Sequence, residues 1–249
     1  MLAFITGSGL YDHDELTAEE FDTPFGTSIL LHGKVNGRQV LMISRHGPGH
    51  AALPHQINHR ANLWALKEAG ASAVISCSVC GVLNPDWPLG LPLVTQDIYF
   101  PDNRLGDGSA CTLFQQPGEP GRGHLLAGSL LHTELTDSIA ACEGNSRSGV
   151  YGHVPGPRFN SPVEIRALQQ AGVDFISQTC GPEAVLANEL ELPYALAAFG
   201  IDYANGVSTA PTPLEVLQEN LEKSRNVFLN LIEKIPPPAS GFENFVYRF

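Results

Sequence analysis

Short apolar runs alternate with amphipathic segments along most of the chain, and this alternation constrains the fold more than any other feature. "LAFITGSGL" and "SAVISCSVCGVL" are continuous apolar runs, and the first ends in turn residues, as expected of buried strands. "INHRANLWALKEAGA" and "SPVEIRALQQAG" repeat apolar residues at helical spacing and are stopped by glycine. Strands that alternate with helices in this way predict an α/β fold.

One segment has the sequence pattern of a β-hairpin, so the predicted sheet contains antiparallel as well as parallel strands. In "TSILLHGKVNGRQVLMISRHG" two apolar runs flank an Asn-Gly turn, which is typical of two antiparallel strands. Residues 101–123 are rich in Gly, Pro, Asp and Asn and predict a long surface loop, and residues 236–249 are predicted to be irregular. Because strands and helices continue past the loop in the same style, we expect residues 1–249 to form a single domain with a central mixed β-sheet flanked by helices.

The charge of the chain excludes some classes of partner. The 249 residues include 26 acidic and 14 basic side chains, a formal net charge of −12. This argues against a nucleic-acid partner or an anionic membrane surface, since both require a basic face. No apolar run reaches about 18 residues and the first residues lack a signal-peptide pattern, so we expect no membrane association and a cytoplasmic protein.

The five cysteines do not suggest a disulfide framework. Cys77 and Cys80 form a CxxC pair, but no second CxxC accompanies it, and both lie within the apolar run "AVISCSVCGVL". We therefore predict two buried strand thiols rather than a redox or zinc pair, and a reducing compartment.

The stretch "SRHGPGHAALPHQINHR" concentrates four histidines and two arginines in an acidic chain. Metal, nucleic acid and a small anion are the possible ligands. Glycine and proline residues between His46 and His50 break any helix that would place both rings on one face, and no HExxH motif is present. We therefore predict no metal site, and a small anion remains as the preferred ligand.

Groups suited to an anion follow four of the predicted strands. They are Gly7-Ser8-Gly9, Arg45-His46, Ser78 at the end of "VISCS", and Thr179 at the end of "FISQT". Ligands of α/β sheets bind where strands end, and an arginine with several neutral donors suits phosphate. The sequence predicts such a site if these four strand ends converge.

Six ordered motifs carry a resemblance to a known family. They are "ITGSGL", "RHGPGH", "PHQINHRANLWALKEAGASAVI", "GPRF", "QTCGPEAVLANELELPYA" and "DYANG". Together they resemble the trimeric purine nucleoside phosphorylase family, most closely its methylthioadenosine and methylthioinosine phosphorylases. The likeness runs from about residue 4 to about residue 232 and is poor over about 98–148.

The resemblance implies an enzyme of the pentosyltransferase type. In this family a phosphate oxygen attacks C1′ of a purine nucleoside, and the glycosidic bond breaks through an oxocarbenium-like state. The products are the free base and a ribose 1-phosphate. Inorganic phosphate is then the second substrate, no cofactor or metal is implied, and a homotrimer or a dimer of trimers is expected.

The resemblance also assigns roles to individual residues. The implied phosphate-binding residues are Ser8, Arg45, His46, Ser78 and Thr179. The implied nucleoside-binding residues are Val79, Cys80, Phe159, Gln178, Asp202 and Ala204. Phe159 would stack on the purine, and Asp202 would be catalytic, its protonated carboxyl donating a hydrogen bond to N7 of the departing base.

Two departures bear on the purine base. Adenine-selective members of the family have a second aspartate where this chain has Ala204, whereas 6-oxopurine members have asparagine where this chain has Asp202. Adenine and hypoxanthine therefore both stay open.

Other departures bear on the sugar. Gln178 replaces a methionine that lies under the ribose in the family, and Cys180 and Gly181 replace bulkier residues. His124 is a possible match for a histidine of the loop that closes over the 5′ end, and Leu214 with Leu217 could line an apolar 5′ pocket.

The predicted function is phosphorolysis of a purine nucleoside, preferably a 5′-methylthio nucleoside. A related hydrolase, with water in place of phosphate, is disfavoured because water needs no anion site. The alternative from another class is a protein that binds purine nucleosides on the same fold but has lost or altered catalysis.

Overall fold

Nine strands of the described chain form one mixed sheet. The computed structural model describes residues 1–8, 10 and 15–249. The strands are β1 (Leu2–Thr6), β2 (Leu16–Thr23), β3 (Gly26–Val35), β4 (Arg38–Ser44), β5 (Ala73–Val82), β6 (Leu91–Tyr99), β7 (Gly123–Leu126), β8 (Arg147–His153), β9 (Phe175–Ser177), β10 (Tyr194–Tyr203) and β11 (Phe245–Arg248). The helices are α1 (His59–Glu68), α2 (Thr133–Cys142), α3 (Pro162–Gln170), α4 (Cys180–Glu189) and α5 (Leu214–Lys234).

The order of the strands brings several chain segments to one edge of the sheet. The order is β10-β6-β8-β9-β5-β1-β4-β3-β2, and β10 also pairs with β5, so five strands close on themselves. β1 lies between β4 and β5 and is parallel to both, with Thr6 opposite Ser44 and Ile5 opposite Ser76. Because parallel strands end at the same edge, the segments that follow β1, β4 and β5 begin side by side.

The helices cover both faces of the sheet, as predicted. On one face Leu63 and Leu66 of α1 pack in a core cluster with Ala184 and Leu186 of α4. On the other face α2 and α5 share a second cluster, which includes Ile139 and Phe228. The β3–β4 hairpin is antiparallel, also as predicted.

Local signals set the ends of helix α3. Ser161 caps the helix by accepting from the backbone N–H of Glu164, the Glu164 side chain accepts from the backbone N–H of Ser161, and Pro162 is the first helical residue. The Ser-Pro-Val-Glu start of this segment has the residue spacing of a capping box, and its reciprocal bonds satisfy two backbone donors that the helix itself cannot pair.

Three strands were not predicted. β2 pairs with β3 at the edge of the sheet, and β7 pairs with β11 in a separate two-stranded sheet, with Phe245 opposite Leu126. The prediction of an irregular tail is therefore wrong for Phe245–Arg248. Four residues acquire strand structure there because a distant segment supplies the hydrogen-bond partners.

The prediction of two buried strand thiols at Cys77 and Cys80 is confirmed. All five cysteines are free, and Cys77 and Cys80 are buried on β5. Burial raises the pKa of both thiols well above the usual value. Within the described residues, no helix combines the length and apolar character that a bilayer crossing requires.

Candidate functional site at the strand ends

A cavity of about 510 Å³ lies where the strand ends meet, and we call it the strand-end cavity. It is lined by all the residues that the resemblance implied for binding phosphate and the nucleoside: Ser8, Arg45, His46, Ser78, Val79, Cys80, Phe159, Gln178, Thr179, Asp202 and Ala204. Gly9, part of the predicted Gly-Ser-Gly turn, lies outside the described residues. The convergence that the phosphate prediction required is therefore present, while the role of each residue stays a prediction.

The pairing of β5 with β10 gives the separation, along the strands, of two groups of polar residues in the cavity. Asp202 on β10 lies opposite Gly81 on β5, and Ser78 lies three residues before Gly81 on the same strand. At about 3.3 Å per residue, the backbone positions of Ser78 and Asp202 lie roughly 10 Å apart along the strands. The cavity therefore has an anion end near Ser78 and a carboxyl end near Asp202.

Arg45 is held by a buried ion pair. Its Nε donates to Glu183 Oε1 at 2.7 Å and its Nη2 donates to Glu183 Oε2 at 3.1 Å, and both side chains are 1% exposed. Ser76 Oγ also donates to Glu183 Oε2, at 2.6 Å. A bidentate pair of this kind fixes the plane of the guanidinium and compensates its charge.

The remaining donors of Arg45 are partly used as well. Nη1 donates to the carbonyl oxygen of Cys77 at 2.8 Å and Nη2 donates to that of Ile5 at 3.1 Å. A Cβ at Gly7 would lie 2.5 Å from Nη1, so only glycine leaves room for the guanidinium at the turn that follows β1. Among the described residues, the second Nη1 hydrogen has no acceptor.

His46 is a neutral imidazole whose tautomer is set by a carbonyl group. Its Nδ1 lies 2.9 Å from the carbonyl oxygen of Ala52, and its ring stacks on that of His50 with the centroids 4.2 Å apart. Burial and the nearby charge of Arg45 lower the pKa of His46 to about 4.

Hydroxyl groups complete the anion end. Thr179 is the N-cap residue of α4, but its side chain makes no capping bond, and its hydroxyl lies 3.5 Å from Cys180 Sγ. Ser78 Oγ donates to Ser177 Oγ at 3.0 Å, and Ser177 Oγ lies 2.8 Å from the hydroxyl of the buried Tyr151. A chain of hydroxyls thus supports Ser78 from behind.

Sequence reasoning missed three of these supporting residues: Glu183, Ser177 and Tyr151. Glu183 had a signal, because it is an acid in the first, mostly apolar turns of α4, and a buried arginine needs a carboxylate. Ser177 and Tyr151 had none, because a strand serine or tyrosine is common and their contact joins different strands.

Asp202 has the properties of a carboxyl that keeps its proton to a higher pH than an exposed aspartate does. It is partly buried at the end of β10, and burial raises its pKa to about 6. Ala204, buried nearby, adds an apolar wall without a hydrogen-bonding group. A carboxyl in this state can donate a hydrogen bond, which an ionised one cannot.

Phe159 lies on the loop between β8 and α3, and its side chain is 79% exposed. Arg158 in the same loop forms a bidentate pair with Glu164 of α3, with contacts of 2.9 and 2.7 Å. Gln178 Nε2 donates to the carbonyl oxygen of Arg158 at 3.1 Å. Gln178 and Glu164 therefore tether the loop that carries the aromatic ring to the mouth of the cavity.

The residues that the sequence analysis suggested for the 5′ end of a nucleoside do not line the cavity. Leu214 is 67% exposed, and neither it nor Leu217 lines the strand-end cavity, whereas Leu221, one helical turn further along α5, does. His124 lies on β7 against Phe249 and does not line the cavity. Position along the helix axis explains why Leu221 lines the cavity and Leu217 does not. The two side chains point in nearly the same direction, but Leu221 lies about 6 Å further along the axis.

No group of three or more His, Cys, Asp or Glu side chains within residues 1–8, 10 and 15–249 is arranged to hold a metal ion.

Comparison with known proteins gives the family. Residues 2–235 match the Phosphorylase superfamily, and the chain belongs to it. It is 34% identical to the probable 6-oxopurine nucleoside phosphorylase of Moorella thermoacetica over 94% of this chain and 93% of that protein. It is 31% identical to the S-methyl-5′-thioadenosine phosphorylase of Caenorhabditis briggsae over 94% of this chain and 86% of that protein.

The fold is shared with a solved structure. Methylthioadenosine phosphorylase from Schistosoma mansoni in complex with adenine superposes with a TM-score of 0.80 at 23% identity, over 93% of this chain and 88% of that one. The predicted family and the predicted α/β fold with a mixed central sheet are both confirmed.

Proposed function

We propose that this protein catalyses phosphorolysis of a purine nucleoside, preferably a 5′-methylthio nucleoside such as methylthioadenosine or methylthioinosine. The products are the free purine and (5-methylthio)ribose 1-phosphate. The observation that carries the proposal is the division of one cavity into an anion end and a carboxyl end roughly 10 Å apart, as the register of β5 and β10 indicates. That separation leaves room for a ribose between the attacking phosphate and the departing base.

The anion end binds the attacking phosphate, and the carboxyl end stabilises the departing base. Phosphate binds to Ser8, His46, Ser78, Thr179 and the second Nη1 hydrogen of Arg45, and one of its oxygens attacks C1′. The purine gains negative charge as the bond from C1′ to N9 breaks, and protonated Asp202 donates to N7 of that base. Hydrogen bonds that strengthen as charge develops lower the barrier.

The lining of the cavity supports particular substituents. Ala204 offers no acceptor to a 6-amino group, so the site does not require one, and relatives at similar identity are named for 6-oxopurine nucleosides and for methylthioadenosine. Ile165, Ile201 and Leu221 provide apolar surface that suits a methylthio group better than a hydroxyl.

The biological setting is part of the same proposal. We place the enzyme in purine salvage in a reducing cytoplasm, which the five free cysteines support. We propose a homotrimer or a dimer of trimers without a metal or organic cofactor. The exposed Phe159 ring at the cavity mouth supports a site that a neighbouring subunit covers.

A second candidate function is a nucleoside-binding protein without turnover. Gln178, whose amide lines the cavity where the family has a methionine, is the observation that favours it.

The test is release of free base from methylthioadenosine, methylthioinosine, adenosine and inosine, each with and without phosphate, with Asp202→Ala as the control. Phosphate-dependent release that Asp202→Ala loses supports the proposal and names the preferred base and 5′ group. Release without phosphate would indicate a hydrolase, and nucleoside binding without release would indicate the second candidate.

A further inference from the structure

The aromatic ring of Phe159 lies on a surface loop whose backbone is held on both sides of the ring. We call residues 156–160 the aromatic loop. The Phe159 side chain is 79% exposed, and a large ring on an untethered loop would have to be ordered each time a ligand binds, at a cost in conformational entropy. The carbonyl groups of Arg158 and Asn160, which flank the ring, each accept a hydrogen bond from a side-chain amide. These two bonds restrict the backbone directly before and after Phe159.

One of the two amides belongs to Gln178, which lies between β9 and α4. Its Nε2 donates to the carbonyl oxygen of Arg158 at 3.1 Å. Its Oε1 lies so close to Gly156 that a Cβ at that position would overlap it, so only glycine admits the amide there. Both polar atoms of the Gln178 side chain therefore lie against the aromatic loop.

The other amide belongs to Asn205, three residues after Asp202 at the end of β10. Its Nδ2 donates to the carbonyl oxygen of Asn160 at 2.8 Å. The next residue, Gly206, has a φ of 83°, and a Cβ there would lie 2.6 Å from Cβ of Pro162, the first residue of α3. The turn that follows Asp202 therefore packs against the end of the aromatic loop and the start of α3.

We propose that Gln178 and Asn205 are positioning residues that hold the ring of Phe159 at the carboxyl end of the cavity before the purine binds. This inference rests on the proposed function, because a purine is the ligand there that stacks on the ring. Gln178 then acts on the base through the aromatic loop, and its departure from the methionine of the family does not require a loss of turnover.

A ring that is already ordered binds the purine without the entropic cost of fixing the loop. Removing either amide should therefore weaken purine binding although the ring itself is still present. A stacking contact that is equally strong in the ground state and in the transition state contributes to KM and not to kcat. Where turnover is measured, Asn205→Ala should accordingly raise KM for the nucleoside and leave kcat unchanged.

Calorimetric binding of free adenine and free hypoxanthine to the whole protein, with phosphate present, tests the proposal. Gln178→Met and Asn205→Ala are each expected to raise the Kd for the purine that binds by about twofold to tenfold, the usual net effect of one hydrogen bond. Gln169→Met is the matched control. Gln169 Nε2 also donates to a backbone carbonyl oxygen, that of Leu83 at 2.7 Å, but Gln169 does not line the cavity, so the Kd should equal that of the wild type.

A second set of variants separates action through the ring from direct contact with the ligand, because Gln178 and Asn205 also line the cavity. In a Phe159→Ala background, Gln178→Met and Asn205→Ala should change the Kd by less than about twofold. Effects as large as in the wild type would mean direct contacts and would overturn the proposal. Circular dichroism checks folding, and Asn205→Asp, which keeps the size of the side chain and loses the donor, takes the place of Asn205→Ala if that variant is unfolded.

The outcomes distinguish this inference from the proposed function. Purine binding that both variants leave unchanged, alongside phosphate-dependent base release, would overturn the positioning roles and leave the phosphorylase intact. Binding that both variants weaken, in a protein that releases no base, would support the positioning roles and contradict turnover. A wild type that binds no purine and releases none from a nucleoside would overturn both proposals.

Discussion

Individual side chains in the strand-end cavity derive their chemistry from burial. The pKa values of Asp202 and His46 are shifted in opposite directions, because burial disfavours the charged form of each group. The pKa of the carboxyl rises to about 6 and that of the imidazole falls to about 4. Arg45 keeps its charge only because Glu183 pairs with it. Between about pH 4 and about pH 6, one cavity thus holds a protonated acid, a neutral base and a compensated cation.

Replacing Asp202 should change the pH dependence of turnover. A carboxyl whose pKa is raised to about 6 is protonated below that pH, so kcat/KM for the nucleoside at saturating phosphate should fall as pH rises through about 6. Asp202→Ala should lower kcat by about 10²-fold or more, which is the usual effect of losing a general acid. Asp202→Asn keeps an N–H donor at every pH and should lose this alkaline fall. An unchanged profile in Asp202→Asn would contradict a proton on Asp202.

Replacing Glu183 should lower the free energy of unfolding. Glu183→Gln leaves Arg45 buried without its carboxylate, and breaking such a pair costs about 3–5 kcal/mol of unfolding free energy. Glu219→Gln is the matched control, because Glu219 pairs with Lys223 on the exposed face of α5 and should cost no more than about 0.5 kcal/mol. Urea unfolding at neutral pH measures both. Equal losses would show that the buried pair has no special role in stability.

Among the elements, helix α3 and the loop before it connect stability with the binding site. The capping box at Ser161 begins the helix, Glu164 holds Arg158, and the loop between them carries Phe159. The position of the aromatic ring therefore depends on a helix end that local sequence specifies.

The cap of α3 should affect both folding and nucleoside binding. Ser161→Ala removes the side chain that accepts from the backbone of Glu164 and should cost about 1 kcal/mol of unfolding free energy. Since the loop loses one anchor, KM for the nucleoside should rise while KM for phosphate stays constant. Ser161→Asn retains a capping oxygen and serves as the control. Equal rises of both KM values in Ser161→Ala would mean that the cap does not act through the loop.

At the scale of the whole molecule, a buried carboxyl that does not line the cavity makes stability depend on pH. Glu143, the C-cap residue of α2, is 6% exposed, and within the described chain neither of its carboxylate oxygens has a hydrogen-bond partner. Burial raises its pKa from 4.5 to about 8. The folded state therefore holds a proton that the unfolded state releases between these two values.

Stability should decrease as pH rises from about 4.5 to about 8. Below this window both states are protonated and Glu143 costs little, whereas above it the folded state contains a buried, unpaired charge. Glu143→Gln should therefore match the wild type near pH 5 and exceed it near pH 8, by on the order of 3 kcal/mol. Urea unfolding of both proteins at the two pH values measures the difference. A constant difference across the range would show that Glu143 does not titrate on unfolding.

The sequence by itself determined the alternation of strands and helices, the β3–β4 hairpin, the cap of α3 and the polar groups at the strand ends. These features follow from neighbours in the chain, through apolar periodicity, turn residues and side chains that reach backbone a few residues away. Residues at the ends of parallel strands could also be selected before their convergence was visible, because parallel strands share an edge.

Only the tertiary structure decided the partners of those residues. Arg45 and Glu183 are 138 residues apart, and their pairing depends on how α4 packs behind β5. The same is true of β11, which is a strand only because β7 lies beside it, and of Glu143, whose surroundings come from packed elements distant in sequence. Ion pairing, sheet pairing and burial depend on distances in space, and a linear pattern of residue types does not contain those distances.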